Sequence, residues 1–216
     1  MQTHLMMGIH GVTFRTAERQ TIGPIHLELR RRQRVLLRCP SEPAYAGLIE
    51  ILTGQEEPLT GRLIELERVR VQTDRHLRDL MLPNRSIQDL LEELPLPDTI
   101  WIGERRRSTQ VVMDRLGLLP HHRRRPLKME SREVFNRFWA LRFVSSNADL
   151  LLGREVFELK DEAIRRVLRD RWGDFPGTVI CAAAPEHSPG PVHTIVTIEE
   201  DGSAHVEPVA DPAAPA

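Results

Sequence analysis

The first forty residues alternate apolar and polar positions in three short runs, GIHGVTF, PIHLEL and RVLLRC. Alternation with a period of two is typical of β-strands, because successive side chains of a strand point to opposite faces of the sheet. Gly23-Pro24 marks a turn between the first two runs. The N-terminal part of the chain is therefore predicted to be a small antiparallel β region.

Helical spacing replaces this alternation from Tyr45 onward. Apolar residues stand at positions 48, 49, 51 and 52, and Gly54 follows where a helix C-terminus is expected. Pro58 and Gly61 then predict a turn before one return strand, RLIELERVRV. The pattern indicates a buried helix followed by a strand.

The middle of the chain, residues 84–145, has a different character. SIQDLLEEL, STQVVMDRLGLL and SREVFNRFWALRFV are amphipathic helix patterns, and proline- and arginine-rich segments connect them. Phe135, Phe138, Trp139 and Phe143 share helical spacing, which predicts core positions rather than an aromatic cage. This segment is predicted to be a helical insert.

The remainder of the chain returns to strand and helix in alternation. ADLLLG and GTVICAAA read as short buried strands around the helix KDEAIRRVLRDRW, and VHTIVTIEEDGSAHVEPV reads as an edge hairpin that turns at Asp201-Gly202. We therefore predict an α/β fold with core parts at 1–83 and 146–208, the helical segment at 84–145, and a disordered tail at 209–216.

Composition excludes several classes of function. Thirty basic residues balance 31 acidic ones, so no global field attracts the chain to nucleic acid or to an anionic membrane. No stretch approaches the roughly 18 to 20 apolar residues that cross a bilayer, and the N-terminus does not resemble a signal peptide. Cys39 and Cys181 have no metal-binding spacing and are expected to be reduced thiols in the cytoplasm.

The junction RCPSEPAYAG runs from a predicted strand into a predicted helix, which is where many nucleotide-binding folds hold their phosphate loop. Together with the segment that follows, CPSEPAYAGLIEILTGQEEPLTGRLIEL resembles the phosphate-loop region of ABC transporter nucleotide-binding domains. LMLPNRSIQDLLEELPL and VMDRLGLLPHHRRRP resemble further segments of the lipoprotein-release and cell-division branch of these ATPases. The resemblance runs from about residue 8 to about residue 208. It implies a P-loop NTPase-like ABC ATPase fold with a helical insert.

The resemblance also shows what the phosphate loop has lost. A phosphate loop needs glycines whose backbone N–H groups surround the phosphates, a lysine for the phosphate charge and a hydroxyl for Mg²⁺. At the matching positions this chain has Cys39, Glu42 and Ala44 for the glycines, Tyr45 for the lysine and Ala46 for the hydroxyl. Glu42 would repel a phosphate group. We expect Tyr45 to fill the hollow with its ring.

The other nucleotide motifs are altered as well. The magnesium-binding aspartate position is Arg154, although Glu155 survives at the catalytic glutamate position and is expected to bond Arg154 or a neighbouring loop. The glutamine-loop position is Leu77 or Arg78, depending on a one-residue choice in the alignment. The remaining positions implied by the resemblance are Thr16 for the adenine-stacking aromatic, Ser131 as the only retained signature residue, Asp161 for the D-loop aspartate and Ala184 for the switch histidine.

The resemblance leads to a pseudo-ATPase that acts as a structural or regulatory subunit of an ABC transporter complex, with no cofactor expected. Two alternatives stay open: a weak or partner-completed ATPase that uses ATP and Mg²⁺, and a soluble scaffolding protein unrelated to transport. The implied partners are a transmembrane permease, an intact ABC ATPase, or a second copy of the chain. No nucleic acid is expected. The implied location is the cytoplasm, peripheral on the inner face of the cell membrane through a partner. Leu80, Met81 and Leu82 would be exposed contacts with that partner, and a local core role for them is equally allowed by the sequence.

Two other features have simpler interpretations. The arginine runs Arg30–Arg32, Arg105–Arg107 and Arg123–Arg125 are expected to be solvated faces paired with nearby acids, with binding of phosphate or lipid headgroups as the alternative. His121-His122 resembles a metal pair, but adjacent side chains are expected to point apart and no third ligand is near. No metal site is predicted.

Overall fold

The computed structural model describes residues 4–39, 41–65, 68–92, 110–182 and 188–209. These residues form two compact units. Unit 1 consists of residues 1–73, 148–154 and 175–216, and unit 2 consists of residues 74–147 and 155–174. The predicted helical segment 84–145 lies within unit 2, which also takes in residues 155–174.

The described residues of unit 1 form two sheets and one helix. A three-stranded antiparallel sheet has the order β2-β1-β4, with β1 at Leu5–Arg15, β2 at Thr21–Arg30 and β4 at Thr60–Glu65. A six-stranded sheet has the order β5-β6-β7-β3-β8-β9. Its strands are β3 Arg34–Arg38, β5 Val71–Thr73, β6 Leu150–Gly153, β7 Thr178–Cys181, β8 Thr194–Ile198 and β9 Ala204–Pro208. The first five strands of that order are parallel and β9 is antiparallel, so this part of the fold is α/β.

The return strand predicted at RLIELERVRV is wrong in one respect. Residues 60–65 belong to the antiparallel sheet as β4, whereas Val71–Thr73 joins the parallel sheet as β5. The predicted terminal hairpin is confirmed, since β8 and β9 pair in antiparallel fashion and Gly202 adopts the positive φ of 90° that its turn requires.

Helix α1 spans Glu42–Leu52 in unit 1 and ends as predicted. Thr53 is its C-cap, and Gly54 follows with a φ of 70°, which glycine adopts without the strain that a Cβ causes. The apolar face of α1 joins the core that β1, β2 and the parallel strands form. Leu48, Ile51 and Leu52 are buried there.

Unit 2 is helical. Its helices are α2 Asp74–Asp79, α3 Ile87–Glu92, α4 Pro120–Arg124, α5 Arg132–Val144 and α6 Glu162–Asp174, with further helical residues at 110–115 and a 3₁₀ turn at Leu127–Met129. Helix α5 packs against α2 and α6. Phe138, Trp139 and Phe143 are buried, which confirms their predicted core role, whereas Phe135 is only partly buried. Edge-on contacts link Phe143 to Phe157 and Phe157 to Trp172. Among the described residues no helix is long and apolar enough to cross a membrane.

Candidate functional site

The junction between β3 and α1 holds the positions that match a phosphate loop. Strand β3 ends at Arg38 and α1 already begins at Glu42, with Ser41 as its N-cap. The hydroxyl oxygen of Ser41 accepts a hydrogen bond from the amide of Ala44 at 3.3 Å, and its carbonyl accepts one from the amide of Tyr45 at 3.2 Å. Because residues 42–44 form the first turn of the helix, these amides are directed at Ser41.

Two charges of opposite sign meet beside this turn. Arg154 Nη1, at the end of β6, lies 2.9 Å from Glu42 Oε2. Arg154 Cζ also lies 5.5 Å from the centre of the Tyr45 ring, within the range of a cation–π contact. The Tyr45 side chain is buried, with 2% of its surface exposed. The ring and the ion pair therefore occupy the strand-to-helix junction together.

Cys39 lies at the start of the same junction. Its Sγ donates a weak hydrogen bond to the carbonyl of Ser41 at 3.3 Å. Burial raises the pKa of the Cys39 thiol above its ordinary value, and the hydrogen bond to Ser41 and the positive charge of Arg154 offset only part of that rise. The thiol is therefore mainly protonated at neutral pH and is a poor nucleophile.

Glu155 lies in unit 2, where two arginines of α2 engage its carboxylate. Arg78 Nη1 donates a hydrogen bond to Glu155 Oε2, and Arg75 Nη2 lies 3.6 Å from Glu155 Oε1. The expected bond between Glu155 and Arg154 is not what the structure has, because Arg154 pairs with Glu42 instead. Leu77, the other candidate for the glutamine-loop position, is a buried apolar residue of α2.

Asp74, at the start of α2, is a feature that the sequence analysis missed. Its carboxylate is almost fully buried and accepts hydrogen bonds from the amides of Val156 at 3.1 Å and Arg75 at 2.8 Å. Its carbonyl accepts a third, at 2.7 Å, from the indole of Trp139. Asp74 thus ties the segment after Glu155 to α2 and α5. An acidic residue at a helix start was the only available signal.

The two predicted nucleotide-contact residues of the signature and D-loop regions both cap helices. Ser131 is the N-cap of α5, and its hydroxyl accepts a hydrogen bond from the amide of Val134 at 3.3 Å. Asp161 accepts hydrogen bonds from the amides of Ala163 at 2.8 Å and Ile164 at 3.3 Å at the start of α6. Its second oxygen accepts a bond from Arg137 Nε at 2.7 Å. Burial raises the pKa of Asp161, but these hydrogen bonds and the Arg137 charge outweigh burial and hold it below its ordinary value.

Thr16 and the histidines complete the predicted positions. Thr16 is buried in the turn after β1, and its hydroxyl oxygen accepts a hydrogen bond from the amide of Gln20 at 3.2 Å. His121 and His122 do not point apart as expected, since their ring centres are 4.0 Å apart, and His122 bonds to Glu130. Within the described residues no group of three potential metal ligands forms. Ala184 and Arg105–Arg107 lie outside the described residues.

The exposed contacts predicted near α2 need one correction. Leu80 and Leu82 are 41% and 48% exposed, whereas Met81 is 4% exposed and belongs to the core. Alternate residues after the end of α2 therefore face outward, and only two of the three predicted apolar contacts are available at the surface.

The arrangement of strands and helices is shared with solved structures. The chain matches the ATP-binding cassette MJ0796 in a post-hydrolysis state with ADP and phosphate at a TM-score of 0.68 and 16% identity, over 95% of this chain and 100% of that one. It matches cbiO1 from Clostridium perfringens at a TM-score of 0.62 and 11% identity, over 94% of this chain and 88% of cbiO1. The match to a bacterial Atm1-family ABC exporter with ATP bound has a TM-score of 0.71 and 15% identity, over 95% of this chain and 39% of the exporter chain.

The chain has the fold of an ABC ATP-binding cassette. The predicted fold class is therefore confirmed, while identities of 16% or less establish the fold alone. No protein-family model and no curated protein matches the chain.

The resemblance assigns the phosphate-loop positions to the β3–α1 junction and the magnesium-ligand position to the end of β6. The structure brings Glu42, Tyr45 and Arg154 from these two places together. Sequence reasoning named each of the three residues but missed that they contact one another. One signal for this contact was available in the sequence: Glu42 and Arg154 have opposite charges. The resemblance expects a glycine at position 42 and an aspartate at position 154.

Proposed function

We infer that the chain is a pseudo-ATPase: a protein with the ABC cassette fold that acts as a structural or regulatory subunit of an ABC transporter complex. The observation that carries this inference is the Glu42–Arg154 ion pair beside the buried ring of Tyr45. The pair and the ring occupy the positions that would otherwise hold the phosphates and the metal ion.

The charges at the β3–α1 junction oppose nucleotide binding. Two like charges 4 Å apart repel each other by about 4 kcal/mol at an effective dielectric constant of 20, so the Glu42 carboxylate disfavours a nearby phosphate. Arg154 could attract a phosphate, but the anion would have to displace Glu42, which lies 2.9 Å away. A guanidinium has no lone pair to offer a metal ion, so Arg154 cannot replace a carboxylate ligand of Mg²⁺.

The backbone at this junction supports the same inference. A phosphate loop presents several backbone amides to an anion, and glycines allow that close approach. Here the amides of Ala44 and Tyr45 donate to Ser41, and residues 42–44 are helical. An incoming phosphate would compete with hydrogen bonds that already stabilise the start of α1.

The surviving acidic residue is also engaged. A general base must reach the attacking water, yet the Glu155 carboxylate is bonded to Arg78 and flanked by Arg75. Ser131, the retained signature residue, caps α5. Neither residue is poised for hydrolysis in the form that the structure shows, which favours the pseudo-ATPase over a weak or partner-completed ATPase.

The partners that we propose are a transmembrane permease, an intact ABC ATPase, or both. The matched cassette MJ0796 is described as dimeric, and cbiO1 is described as part of the transporter complex cbiONQ. By analogy, the exposed Leu80 and Leu82 after α2 are candidate permease contacts, since apolar side chains at a surface are available for burial by a partner. The chain would then reach the inner face of the cell membrane from the cytoplasm.

Nucleotide binding tests the first part of this proposal. Isothermal titration with millimolar ATP, with and without Mg²⁺, is expected to show no saturable binding, while an intact cassette measured in parallel binds. A thermal shift assay should give the same melting temperature with and without ATP, because a ligand that binds only the native state raises it. Saturable, Mg²⁺-dependent binding would show that the nucleotide site is intact.

Co-purification tests the second part. Tagged protein extracted from membranes of its native cells is expected to retain a permease, and the double variant Leu80→Asp/Leu82→Asp is expected to lose it. Leu59→Asp is the control, because Leu59 is at least as exposed, at 53%, but lies in unit 1. Recovery of the chain without any permease would favour the scaffolding alternative.

A further inference from the structure

The stretch from Leu119 to Arg132 in unit 2 carries positive charges that nothing in the described residues neutralises. Arg124, Arg125, Lys128 and Arg132 are all exposed. Within residues 110–182 and the other described ranges, no ion pair involves any of these four side chains. The arginine run at 123–125 was expected to pair with nearby acids. Among the described residues this expectation holds only for Arg123, because its Nη2 lies 3.1 Å from Asp114 Oδ1.

Three acidic residues of the described ranges that lie close to this stretch are engaged by other side chains. The side chain of Glu130 is only 4% exposed, and its Oε2 lies 2.8 Å from His122 Nδ1. Glu133 lies 2.6 Å from Arg137 Nη2. Asp114 pairs with Arg123. The four exposed cations therefore form a local positive surface on a chain whose overall formal charge is −1.

Exposed apolar side chains lie in the same stretch. Met129, between Lys128 and Arg132 in sequence, is 68% exposed. Leu119, just before α4, is 51% exposed. The backbone of residues 83–85 runs alongside, since the amides of Lys128 and Leu127 donate to the carbonyls of Pro83 and Arg85 at 2.9 and 3.0 Å. Leu82, which is 48% exposed, precedes that segment. We name this surface the basic patch; its members are Leu119, Arg124, Arg125, Lys128, Met129 and Arg132.

The mixture of side chains discriminates between anionic partners. Single-stranded nucleic acids are bound by cations together with exposed aromatic rings that stack on bases. The large exposed hydrophobic residues within the described ranges are all aliphatic. An anionic lipid surface instead attracts lysine and arginine side chains and accepts methionine and leucine at the boundary between headgroups and acyl chains.

We propose that the basic patch binds the surface of a membrane that contains anionic phospholipids. The contact is direct and reversible, with the cations at the phosphate groups and Met129 and Leu119 at the acyl boundary. It differs from the expectation that a partner alone brings the chain to the membrane. It does not depend on the pseudo-ATPase inference, because it requires neither nucleotide nor permease.

Vesicle co-sedimentation tests the proposal with the purified chain. Binding is expected to vesicles of equal parts phosphatidylcholine and phosphatidylglycerol, and not to phosphatidylcholine alone. Each basic residue near an anionic surface contributes a factor of roughly five, so Arg124→Gln/Arg125→Gln/Lys128→Gln should weaken binding on the order of a hundredfold. Binding should also fall strongly at about 1 M salt, where the Debye length is about 3 Å.

A charge-matched control separates the basic patch from the net charge of the chain. Arg15→Gln/Arg166→Gln/Arg169→Gln removes the same number of positive charges from exposed side chains elsewhere. This variant is expected to bind within a few-fold of the wild type. Met129→Ser tests the apolar part and should lower vesicle binding several-fold without altering the salt dependence. Circular dichroism and thermal melts verify that every variant is folded.

Several outcomes would overturn the proposal. Equal loss in the two triple variants would mean that only net charge matters. Equal binding to both kinds of vesicle, or no binding to either, would exclude recognition of anionic lipid. If a random-sequence RNA oligonucleotide bound the patch more tightly than the vesicles did, the surface would be a nucleic-acid site instead.

Discussion

Arg154 and Glu42 form an ion pair, at 2.9 Å, between the end of one parallel strand and the start of the helix that follows another. The resemblance places each residue where a nucleotide-binding group is expected, and their opposite charges offset each other. The pair joins two segments that are far apart in sequence but adjacent in the parallel-sheet unit.

The strength of this pair can be measured by a double-mutant cycle. Because the two side chains are 22% and 47% exposed, solvent screens their attraction, and we expect a coupling energy of about 0.5 to 1 kcal/mol. Urea unfolding of the wild type, Arg154→Met, Glu42→Gln and the double variant gives this number. A coupling energy indistinguishable from zero would show that the pair does not stabilise the junction.

Tyr45 provides a second test, because its ring is a core residue in this chain. Tyr45→Ala should lower the free energy of unfolding by about 3 to 5 kcal/mol, since it leaves a cavity where a buried aromatic ring was. Tyr45→Lys, which introduces the residue that the resemblance expects in a phosphate loop, should also destabilise the fold because it buries an ammonium group near Arg154. Tyr45→Phe is the control and keeps the ring. A stable Tyr45→Lys protein that binds ATP would contradict this account.

Glu155→Gln separates a catalytic role from a structural one. Phosphate release by the wild type is expected to equal the background without enzyme, and the substitution should leave it unchanged. The variant should be less stable by about 0.5 to 1 kcal/mol, because it weakens partly exposed contacts with Arg78 and Arg75. Hydrolysis by the wild type that disappears in Glu155→Gln would instead establish Glu155 as a general base.

The Asp161 cap predicts a dependence of stability on pH. Its pKa is lowered in the folded chain, so the ionised form stabilises the fold above the unfolded pKa of about 3.9, and this contribution is lost as the pH falls through the folded pKa. Asp161→Asn should therefore be less stable than the wild type by about 1 to 2 kcal/mol at pH 7, and the difference should shrink below about pH 4. Denaturant unfolding at several pH values measures it. A difference that stays constant down to pH 2 would exclude the charge of Asp161 as its cause.

The regular elements were predictable from the sequence because their side-chain periods are local. The alternation in GIHGVTF and PIHLEL gave β1 and β2, and the apolar runs LLLG and TVIC gave two buried parallel strands. The division of RLIELERVRV between two sheets was missed, because the spacing of apolar residues along a strand does not determine which neighbouring strand it pairs with. That choice depends on contacts with β1 and β6, which are distant in sequence.

The candidate site was predictable residue by residue but not as a set of contacts. The spacing of the resemblance named Glu42, Tyr45 and Arg154, whereas their mutual contacts depend on how Arg154, after β6, approaches the start of α1. The early start of α1 did leave a local signal that went unused. Ser41 followed by Glu42 and Pro43 is a favourable N-cap, with an acidic residue and a proline at the first helical positions.

The early start of α1 makes the proposed loss of nucleotide binding hard to reverse. Substituting glycines and a lysine into positions 42, 44 and 45 would change side chains while Ser41 and Pro43 continued to favour a helix there. The first turn of α1 would have to unwind before its backbone amides could bind an anion. Single substitutions at these positions would therefore leave the helical start in place and would not by themselves free its amides for an anion.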